Sequence, residues 1–424
     1  MKAPPGLSNP SGKVCLLQKS LYGLKQASRQ WFAKLTSELI SQGYTQSKND
    51  YSLFLKTVGS FITIVAVYVD DILITGNDSQ GISQLKSHLD HIFTIKDLGK
   101  LHFFLGIEVG YTNSGISLTQ TKFTRKLLSH CKIQDLKLAV TPLPQNLKLH
   151  QMEDALYHDP TYHRTMVGKM NFLTHTRPDL AFTVQHLSQF LQEPREPHVA
   201  ALHHALRYIA ATVGQGILLN SSGQLILQAF SDSDWAACPN TRRSVTGYVL
   251  MLGCSPITWK SKKQSTVSKS SSEAEYRAMY SAASEVAWMV RLLQELQVPT
   301  IKPVVLHCDN MSAIHIARKP IYHERTKHIE IDCHFTREKV LEGLIQLTYL
   351  PTSSQLADLV SLFFLMAFAW IKHPTEAKII GYFYVVQIIK QFHLALPWNS
   401  QIESSLHHLF EDNSPSQDTL EMNL

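Results

Sequence analysis

Apolar runs separated by short polar breaks predict the first structural elements of this chain. Phe61 to Val69 and Ile72 to Thr75 are rich in β-branched residues and predict the two strands of a hairpin. Upstream of them, apolar residues recur at helical spacing: Trp31, Leu35, Leu39 and Ile40. We therefore expect a packed amphipathic helix followed by a β-hairpin.

A second series of strands and helices begins near Leu225, after the turn Asn220 to Gly223. The predicted strands are Leu225 to Phe230, Gly247 to Leu252, Ile257 to Trp259, Val304 to Cys308 and Leu344 to Leu350. A helix with an apolar stripe starts at Ser272 and stops before Pro299, and Glu275 completes a capping-box spacing with Ser272. The predicted order is βββαβ, then a helix, then a strand.

The middle of the chain has a helical pattern. Cations are scattered along the stretch from Ile116 to Leu149: Lys122, Arg125, Lys126 and Lys132. A basic helix of this kind suits duplex phosphate, and a solvated helix face explains it equally well. Tyr162 to Leu219 predicts further helices, with breaks at Pro178, Pro194 and Pro197. Histidines such as His198 lack metal-site spacing with an acid, so we expect them on the surface or in the core.

Composition limits the class of protein. A chain of 424 residues with 44% hydrophobic content is long enough for two or three globular domains. The net charge of +6 suits a polyanionic partner, although it also suits many enzymes. The six cysteines are scattered and form no CxxC pair, so neither a disulfide framework nor a cysteine-rich metal site is indicated, and a reducing compartment fits best. The N-terminal MKAPPGLSNPSG has a loop composition without a signal-peptide core, so we expect an internal cut there.

Two groups of carboxylates are candidates for metal chemistry. Asp70 and Asp71 lie at the turn of the predicted hairpin, where a divalent cation would offset the cost of neighbouring charges. An Asp-Asp turn on a solvated sheet edge is the alternative. Four further acids follow strands or begin helices, so a sheet could gather them: Asp232, Glu275, Asp309 and Asp358. Such a set could hold two Mg²⁺ ions about 3.5 to 4 Å apart and cleave a phosphodiester.

Basic residues surround the second acidic group in the sequence. They are Arg242, Arg243, Lys260, Lys262, Lys263, Lys269, Arg325 and Lys327. We expect them to bind a nucleic-acid backbone, with a solvated loop as the alternative for the first pair. His323, His328, Cys333 and His334 do not have the spacing of a zinc site, and Asp332 is expected to be a structural acid.

Several ordered motifs resemble those of Pol polyproteins of copia-type LTR retrotransposons. YVDDILITG is similar to that family's reverse-transcriptase signature, LLQKSLYGLKQASRQWF to its nucleotide pocket and DLGKLHFFLGIEV to its primer grip. AFSDSDWAACPNTRRSVTGY, WKSKKQSTVSKSSSEAEYRAM, LHCDN, RTKHIEID and LPTSSQLAD resemble its ribonuclease H domain, from Gln228 to Asp358. Together they are distributed from Leu16 to Asp358.

The resemblance implies an α/β and α+β chain: a partial polymerase palm and thumb, then a ribonuclease H-like mixed five-stranded sheet with helices. It implies a truncated reverse transcriptase over residues 1–150, a connection region over 151–223 and a ribonuclease H-like domain over 224–358. Gly23, Lys25 and Gln26 match nucleotide-pocket positions, and a helix entry is their alternative. The family's first palm aspartate falls in a segment that precedes this sequence, so we expect no DNA polymerisation.

For the second acidic group, the resemblance implies Mg²⁺ or Mn²⁺ as the cofactor and an RNA:DNA hybrid or template-primer as the partner. It favours Asp232 over Asp234 and Glu275 over Glu273. We predict cleavage of the RNA strand of a hybrid. A decayed or domesticated nucleic-acid-binding protein is the rival hypothesis, because binding requires the basic faces and not all four acids.

The sequence after Asp358 departs from the resemblance. Leu359 to Ile371 and Ile379 to Ile389 are apolar but shorter than the roughly 20 residues of a membrane span, so we predict no membrane association. We expect residues 359–424 to be a frame-shifted or mis-spliced tail, foreign to the fold.

Overall fold

The computed structural model describes residue 24 and residues 26–131, 137–145, 147–152, 154–221, 224–298, 301–318 and 330–361, with backbone only at 330–333 and 359. Two compact units divide between Gly99 and Lys100. Helices and sheets occur in both units, which confirms the predicted mixed α and β character. Within the described residues, no helix combines the length and apolar character that a membrane crossing requires. The predicted tail beyond residue 361 lies outside the described residues.

The first unit packs two helices on a small antiparallel sheet. Its elements are α1 (Ala27–Ser41), β1 (Thr45–Gln46), β2 (Leu53–Val58), β3 (Phe61–Tyr68), β4 (Asp71–Gly76) and α2 (Ser79–Phe93). The strands lie in the order β1-β2-β3-β4. Leu35 and Leu39 of α1 share a core with Leu89 of α2 and with Phe54 and Val65 of the sheet. This arrangement confirms both the predicted helix and the predicted hairpin.

The second unit begins with a four-stranded sheet and a helical cluster. Its elements are β5 (Phe103–Phe104), β6 (Ile107–Thr112), β7 (Gly115–Thr119), α3 (Thr121–Ser129), α4 (Pro160–Leu173), α5 (Ala181–Leu187), α6 (Glu196–Ala211) and β8 (Gly216–Asn220). β8 returns to pair with β7, opposing Ile217 to Leu118. The helical pattern predicted from Ile116 starts only at α3, because the preceding residues form β7. Pairing with a distant strand is a tertiary effect that local periodicity does not reveal.

The histidine prediction is confirmed for His198, which is fully buried in α6. Its ring stacks on Phe190 at 3.8 Å between centroids. One ring nitrogen accepts the backbone N–H of Arg195 at 2.9 Å, and the other lies 3.0 Å from the carbonyl oxygen of His150. These contacts make His198 a core residue of the helical cluster.

The remaining elements form a five-stranded sheet with helices. They are β9 (Leu227–Asp234), β10 (Val245–Leu252), β11 (Ser255–Lys263), α7 (Ser271–Glu295), β12 (Val304–Cys308), α8 (Met311–Arg318), α9 (Glu330–Leu341), β13 (Ile345–Tyr349) and α10 (Asp358–Ser361). The strand order is β11-β10-β9-β12-β13. β9, β10 and β11 are antiparallel neighbours, whereas β12 is parallel to both β9 and β13. Two helices, α8 and α9, lie between β12 and β13, where the sequence predicted one.

Helix α7 is the main cover of this sheet. Its buried face includes Ala278, Ala282, Val286, Val290 and Leu293. These positions recur every three or four residues, so one stripe of the helix meets the sheet. The packing fixes the first turn of α7 near the end of β9, where the predicted acids lie.

Candidate metal centre

The centre is built on the shared edge of two parallel strands. Phe230 of β9 lies opposite His307 of β12. Both parallel strands therefore end at the same edge of the sheet, within a few residues of this pair. Asp232 lies inside β9 and not after it, because pairing with β10 extends the strand to Asp234. Its side chain is 4% exposed, and the Ser361 hydroxyl donates a hydrogen bond to its Oδ2.

Helix α7 contributes Glu275 to this edge. Glu275 is buried, and its Oε1 accepts the backbone N–H of Ser233 at 2.9 Å. Its Oε2 lies 3.9 Å from the thiol sulfur of Cys308, the last residue of β12. One carboxylate oxygen is therefore fixed by β9, and the other faces β12.

Glu273 has a different role. Its carboxylate accepts the backbone N–H of Lys269 at 2.8 Å and pairs with the guanidinium of Arg277 at 2.9 Å. The N-cap of α7 is Ser270, whose hydroxyl accepts the N–H of Glu273. The capping box predicted for Ser272 and Glu275 is therefore wrong. Both Ser-Glu pairs have the required spacing, and the sequence does not choose between them.

Asp309 and Asp358 approach from the ends of later elements. Asp309 follows β12 directly, is half-buried, and accepts a hydrogen bond from the Thr352 hydroxyl at 2.6 Å. Asp358 begins α10 and is 4% exposed, and its Oδ1 is a buried atom without a hydrogen-bond partner among the described residues. The Gln355 side-chain amide donates to the carbonyl of Ser231 at 3.0 Å, which ties this loop to β9.

The nearest ligand atoms include one that the sequence did not suggest. Single ligand atoms of Glu275, Cys308 and Asp309 all lie within 4.8 Å of one another. In the sequence, Cys308 is only the last residue of the predicted strand Val304 to Cys308. Its position directly before Asp309 was the available signal, since a strand-end residue can share the edge with its neighbour.

The electrostatics of the centre are those of crowded, poorly hydrated carboxylates. Burial raises the pKa of Asp232 to about 6, with the charge of Asp309 adding to it and the hydrogen bond from Ser361 opposing it. Burial, followed by the charges of Asp232 and Asp309, raises the pKa of Glu275 well above its ordinary value. Burial, Asp232 and Asp309 raise the pKa of Asp358 to about 7. Clustered acids with an unpartnered buried oxygen fit a divalent cation that prefers oxygen ligands, such as Mg²⁺ or Mn²⁺.

Asp234 shares the strand face of Asp232 because side chains alternate along β9. It is half-buried, and burial followed by the charge of Asp232 raises its pKa to about 6. The charges that raise the pKa of Glu275 come from Asp232, Asp309 and Asp358. This pattern favours Asp232 over Asp234 as the member of the centre.

The hairpin acids of the first unit are arranged differently. Tyr68 pairs with Asp71 across β3 and β4, so Val69 and Asp70 form a two-residue turn. Val69 has a φ of 50°, and its carbonyl accepts the indole N–H of Trp31 at 2.6 Å. Asp70 and Asp71 are both exposed. Within the described residues, no third ligand group joins them, since Glu275, Cys308 and Asp309 form the only such cluster.

The predicted nucleic-acid contacts are partly placed. Arg242 and Lys262 are exposed, and Arg243 and Lys263 are half-buried. Lys263 donates to Gln189 Oε1 at 2.6 Å and to the sulfur of Cys238 at 3.4 Å, so its ammonium is engaged within the protein. Arg325 and Lys327 lie outside the described residues.

Other predicted residues are also placed only in part. Gln26 is the N-cap of α1 and is exposed, which agrees with a helix entry, whereas Gly23 and Lys25 lie outside the described residues. His323 and His328 lie there as well, together with the side chains of Asp332 and Cys333.

Comparison with known proteins gives concordant relatives. A family profile described as reverse transcriptase (RNA-dependent DNA polymerase) matches residues 1–145. The retrovirus-related Pol polyprotein from transposon RE1 of Arabidopsis thaliana is 41% identical over 360 residues, which are 84% of this chain and 25% of that protein. The chain thus spans about a quarter of that relative's length. A Saccharomyces cerevisiae protein attributed to transposon Ty5-1 is 32% identical over 281 residues, 65% of this chain and 91% of that protein.

Among solved structures, the N-terminal RNase H domain of a Mycobacterium tuberculosis protein is similar at 11% identity. The match covers 32% of this chain and 91% of that chain, with a TM-score of 0.26, which is too low to define a fold. Membership rests instead on the sequence relatives, which agree with the motifs across both units. The chain belongs to the family of retrovirus-related Pol polyproteins from copia-type transposons.

Proposed function

We propose that residues 224–358 form a ribonuclease H domain that hydrolyses the RNA strand of an RNA:DNA hybrid. The observation that carries the proposal is that strand pairing and hydrogen bonds bring Asp232, Glu275, Asp309 and Asp358 to one edge of a five-stranded mixed sheet. In the same proposal, residues 1–150 are the reverse-transcriptase palm and thumb, and residues 151–223 are the connection. The family-profile match to residues 1–145 supports the first of these assignments.

The four acids would hold two divalent cations, which when bound activate water and stabilise the leaving oxygen of the phosphodiester. The chain's own contacts prepare the acids for that task. The Ser233 N–H fixes one oxygen of Glu275, and the second oxygen lies 3.9 Å from the sulfur of Cys308, the residue before Asp309. The Thr352 hydroxyl orients Asp309 in the same way. Such hydrogen bonds hold ligands in position before substrate arrives.

Substrate binding would use the exposed cations beside the sheet. Arg242 and Lys262 are accessible to phosphates of a hybrid, whereas Lys263 already donates to Gln189 and Cys238. We therefore assign contact with the nucleic-acid backbone to Arg242 and Lys262, and a structural role to Lys263. Backbone contacts of this type carry affinity without sequence preference.

The test is cleavage of a hybrid with a labelled RNA strand by the purified full chain. We expect cleavage with Mg²⁺ or Mn²⁺ and none with a chelator. Asp309→Asn should lose activity by roughly a hundredfold or more, since a ligand shared by the centre is removed. Asp70→Asn is the matched control, because this aspartate lies on the exposed hairpin turn. Cleavage by Asp309→Asn at the parent rate would overturn the assignment.

The same experiment separates the rival function. A decayed nucleic-acid-binding protein would retain the hybrid in a binding assay and leave its RNA strand intact. Hybrid binding that weakens as salt concentration rises, together with no cleavage in Mg²⁺ or Mn²⁺, would support this rival function.

A further inference from the structure

Gln264 follows β11 directly and places a buried side-chain amide between the sheet and helix α7. We propose that Gln264 is a positioning residue of the carboxylate centre: its amide fixes the first turn of α7 against β9 and β10 and thereby orients Glu275. The consequence for cation binding rests on the proposed function, whereas the orientation of Glu275 does not.

Both polar atoms of the Gln264 side chain are engaged. Nε2 donates to Thr246 Oγ1 on β10 at 3.0 Å and to the backbone carbonyl of Ala274 on α7 at 3.0 Å. Ser233 Oγ on β9 lies 3.3 Å from the same nitrogen. Oε1 accepts the hydroxyl of Ser268 at 2.8 Å. One side chain therefore links two strands, the loop before α7 and the first turn of that helix.

The hydrogen bond to Ala274 acts on the residue that precedes Glu275. The carboxylate of Glu275 is held separately, because its Oε1 accepts the backbone N–H of Ser233 at 2.9 Å. Ser233 in turn lies opposite Thr246 in the ladder of β9 and β10. The hydrogen bonds thus close a circuit that runs from the amide through both strands to the glutamate and back. The amide fixes the backbone beside the glutamate, and Ser233 fixes its carboxylate.

The circuit lies in the interior of the domain. Ala274 and Ser268 are buried, and Gln264 and Ser233 are each 8% exposed. A buried polar network that is fully bonded specifies one packing, because a shifted helix would leave donors and acceptors without partners. Such precision matters at this place, since a displacement of about 1 Å in a reacting group can slow a reaction about a hundredfold.

Mn²⁺ binding by the full chain tests the proposal, with the free ion measured by electron paramagnetic resonance. Gln264→Met keeps the length of the side chain and removes its hydrogen bonds. We expect the Mn²⁺ affinity to fall about tenfold or more at a temperature where thermal melts show the variant folded. In hybrid cleavage, kcat should fall while KM for the hybrid stays at the parent value, because the substituted side chain is buried.

Gln120→Met is the matched control for the plain alternative, in which Gln264 only stabilises the core. Gln120 is 2% exposed, donates to the carbonyl of Phe172 at 3.1 Å and accepts the Thr176 hydroxyl at 2.8 Å. Its variant also loses a buried amide, so it should melt at a lower temperature but keep the parent Mn²⁺ affinity. Parent affinity in Gln264→Met, or an equal fall in both variants, would overturn the proposal.

If Gln264→Met does not fold, Thr246→Val provides the second measurement, since it preserves the side-chain shape and removes the acceptor on β10. The Mn²⁺ affinity should then fall severalfold, and an unchanged affinity would contradict the positioning role. Weaker Mn²⁺ binding in the variant of a chain that does not cleave the hybrid would reject only the ribonuclease function. Cleavage and Mn²⁺ binding at parent levels in Gln264→Met would reject only the positioning role.

Discussion

Two groups of acids in this chain carry the same chemistry but differ in how the fold holds them. Asp70 and Asp71 are neighbours in sequence on an exposed hairpin turn. The second group comes from four separate elements, and Asp232, Glu275 and Asp358 are each 5% exposed or less. Hydrated neighbours need no cation to be stable, whereas buried ones repel and lose solvation. Burial, more than proximity in sequence, marks the second group as the candidate metal centre.

The pKa values express the same contrast. Partial desolvation and then the charge of Asp70 raise the pKa of Asp71, and burial followed by the charge of Asp71 raises the pKa of Tyr68. In the sheet-edge centre, burial and several mutual charges raise the pKa of Glu275 well above its usual value. Carboxylates disturbed as a set are typical of sites that bind metal or catalyse proton transfer. The following experiments break or sharpen this contrast.

The largest effect is expected from Glu275 at the start of α7, with Glu273 on the same helical turn as its matched control. Glu275→Gln should reduce Mg²⁺-dependent hybrid cleavage by roughly a hundredfold or more, because the buried ligand loses its charge. Glu273→Gln should retain cleavage, since its carboxylate pairs with Arg277 and the Lys269 backbone. Initial rates at saturating Mg²⁺ would measure both. Equal losses in the two variants would show that disturbance of the first turn of α7, and not removal of a ligand, explains the loss at Glu275.

A smaller loss is expected from Gly247, which lies opposite Asp232 on β10. A Cβ there would lie 2.6 Å from the Cβ of Ser361 and 2.9 Å from the carbonyl oxygen of Ala357. Gly247→Ala should push α10 and Asp358 away from the sheet and slow cleavage by about ten- to a hundredfold. The required Mg²⁺ concentration should rise in parallel.

Gly168 in α4 provides the matched control for Gly247. A Cβ at Gly168 meets nothing within 4 Å, so Gly168→Ala should leave cleavage unchanged and slightly favour the helix. Parent-like rates in Gly247→Ala would mean that α10 does not need its close contact with β10 to position Asp358.

Neutralising Asp358 tests the electrostatic side of the contrast. Its pKa is raised to about 7, so the folded chain holds this proton more tightly than the unfolded chain does. The free energy of unfolding therefore falls as pH rises from about 4 to about 7, and the penalty is complete above that range. In chelator near pH 8, Asp358→Asn should stabilise the protein by on the order of 1 to 3 kcal/mol.

Thermal melts followed over pH would measure this gain, which should vanish below about pH 4 where both states are protonated. Added Mg²⁺ should stabilise the parent more than the variant, because the variant has lost a ligand. If Asp358→Asn unfolded at a lower temperature than the parent at alkaline pH in chelator, the prediction that repulsion between the carboxylates destabilises the metal-free centre would be contradicted.

Local sequence pattern predicted the elements well where a mostly apolar run is buried along nearly its whole length, as in Phe61–Tyr68 and Val245–Leu252. It failed where distant residues decide the outcome: Gly115–Thr119 became a strand through pairing with Gly216–Asn220. The cap of α7 also moved to Ser270, since two serines had equal spacing to a glutamate.

The candidate site was predicted as a set of acids but not as a geometry. Strand-end positions and family motifs suggested Asp232 and Glu275, yet only three-dimensional packing brings Cys308 beside Glu275. The support from Thr352 and Ser361 was equally hidden, because each reaches its aspartate across a loop. Such contacts depend on chain folding and leave no periodic trace in the sequence.

The smallest effect is expected at the hairpin. A chain of this sequence should not extend a DNA primer on an RNA template, because Asp70 and Asp71 lack a third ligand among the described residues. Asp50 is a poor candidate for this third ligand, since it is buried and its Oδ1 accepts both the backbone N–H and the hydroxyl of Ser52. Those hydrogen bonds hold Oδ1 of Asp50 in the local turn.

Primer extension by the parent and by the double variant Asp70→Asn, Asp71→Asn should therefore be the same. The measurement is incorporation of labelled nucleotides on a homopolymer template with Mg²⁺ or Mn²⁺, with an active reverse transcriptase as the positive control. The hybrid-cleavage rate of the double variant should also equal that of the parent, since the hairpin and the sheet-edge centre belong to different units. Synthesis by the parent above the double variant would show that the exposed pair binds metal after all, and that burial is not what separates the two acidic groups.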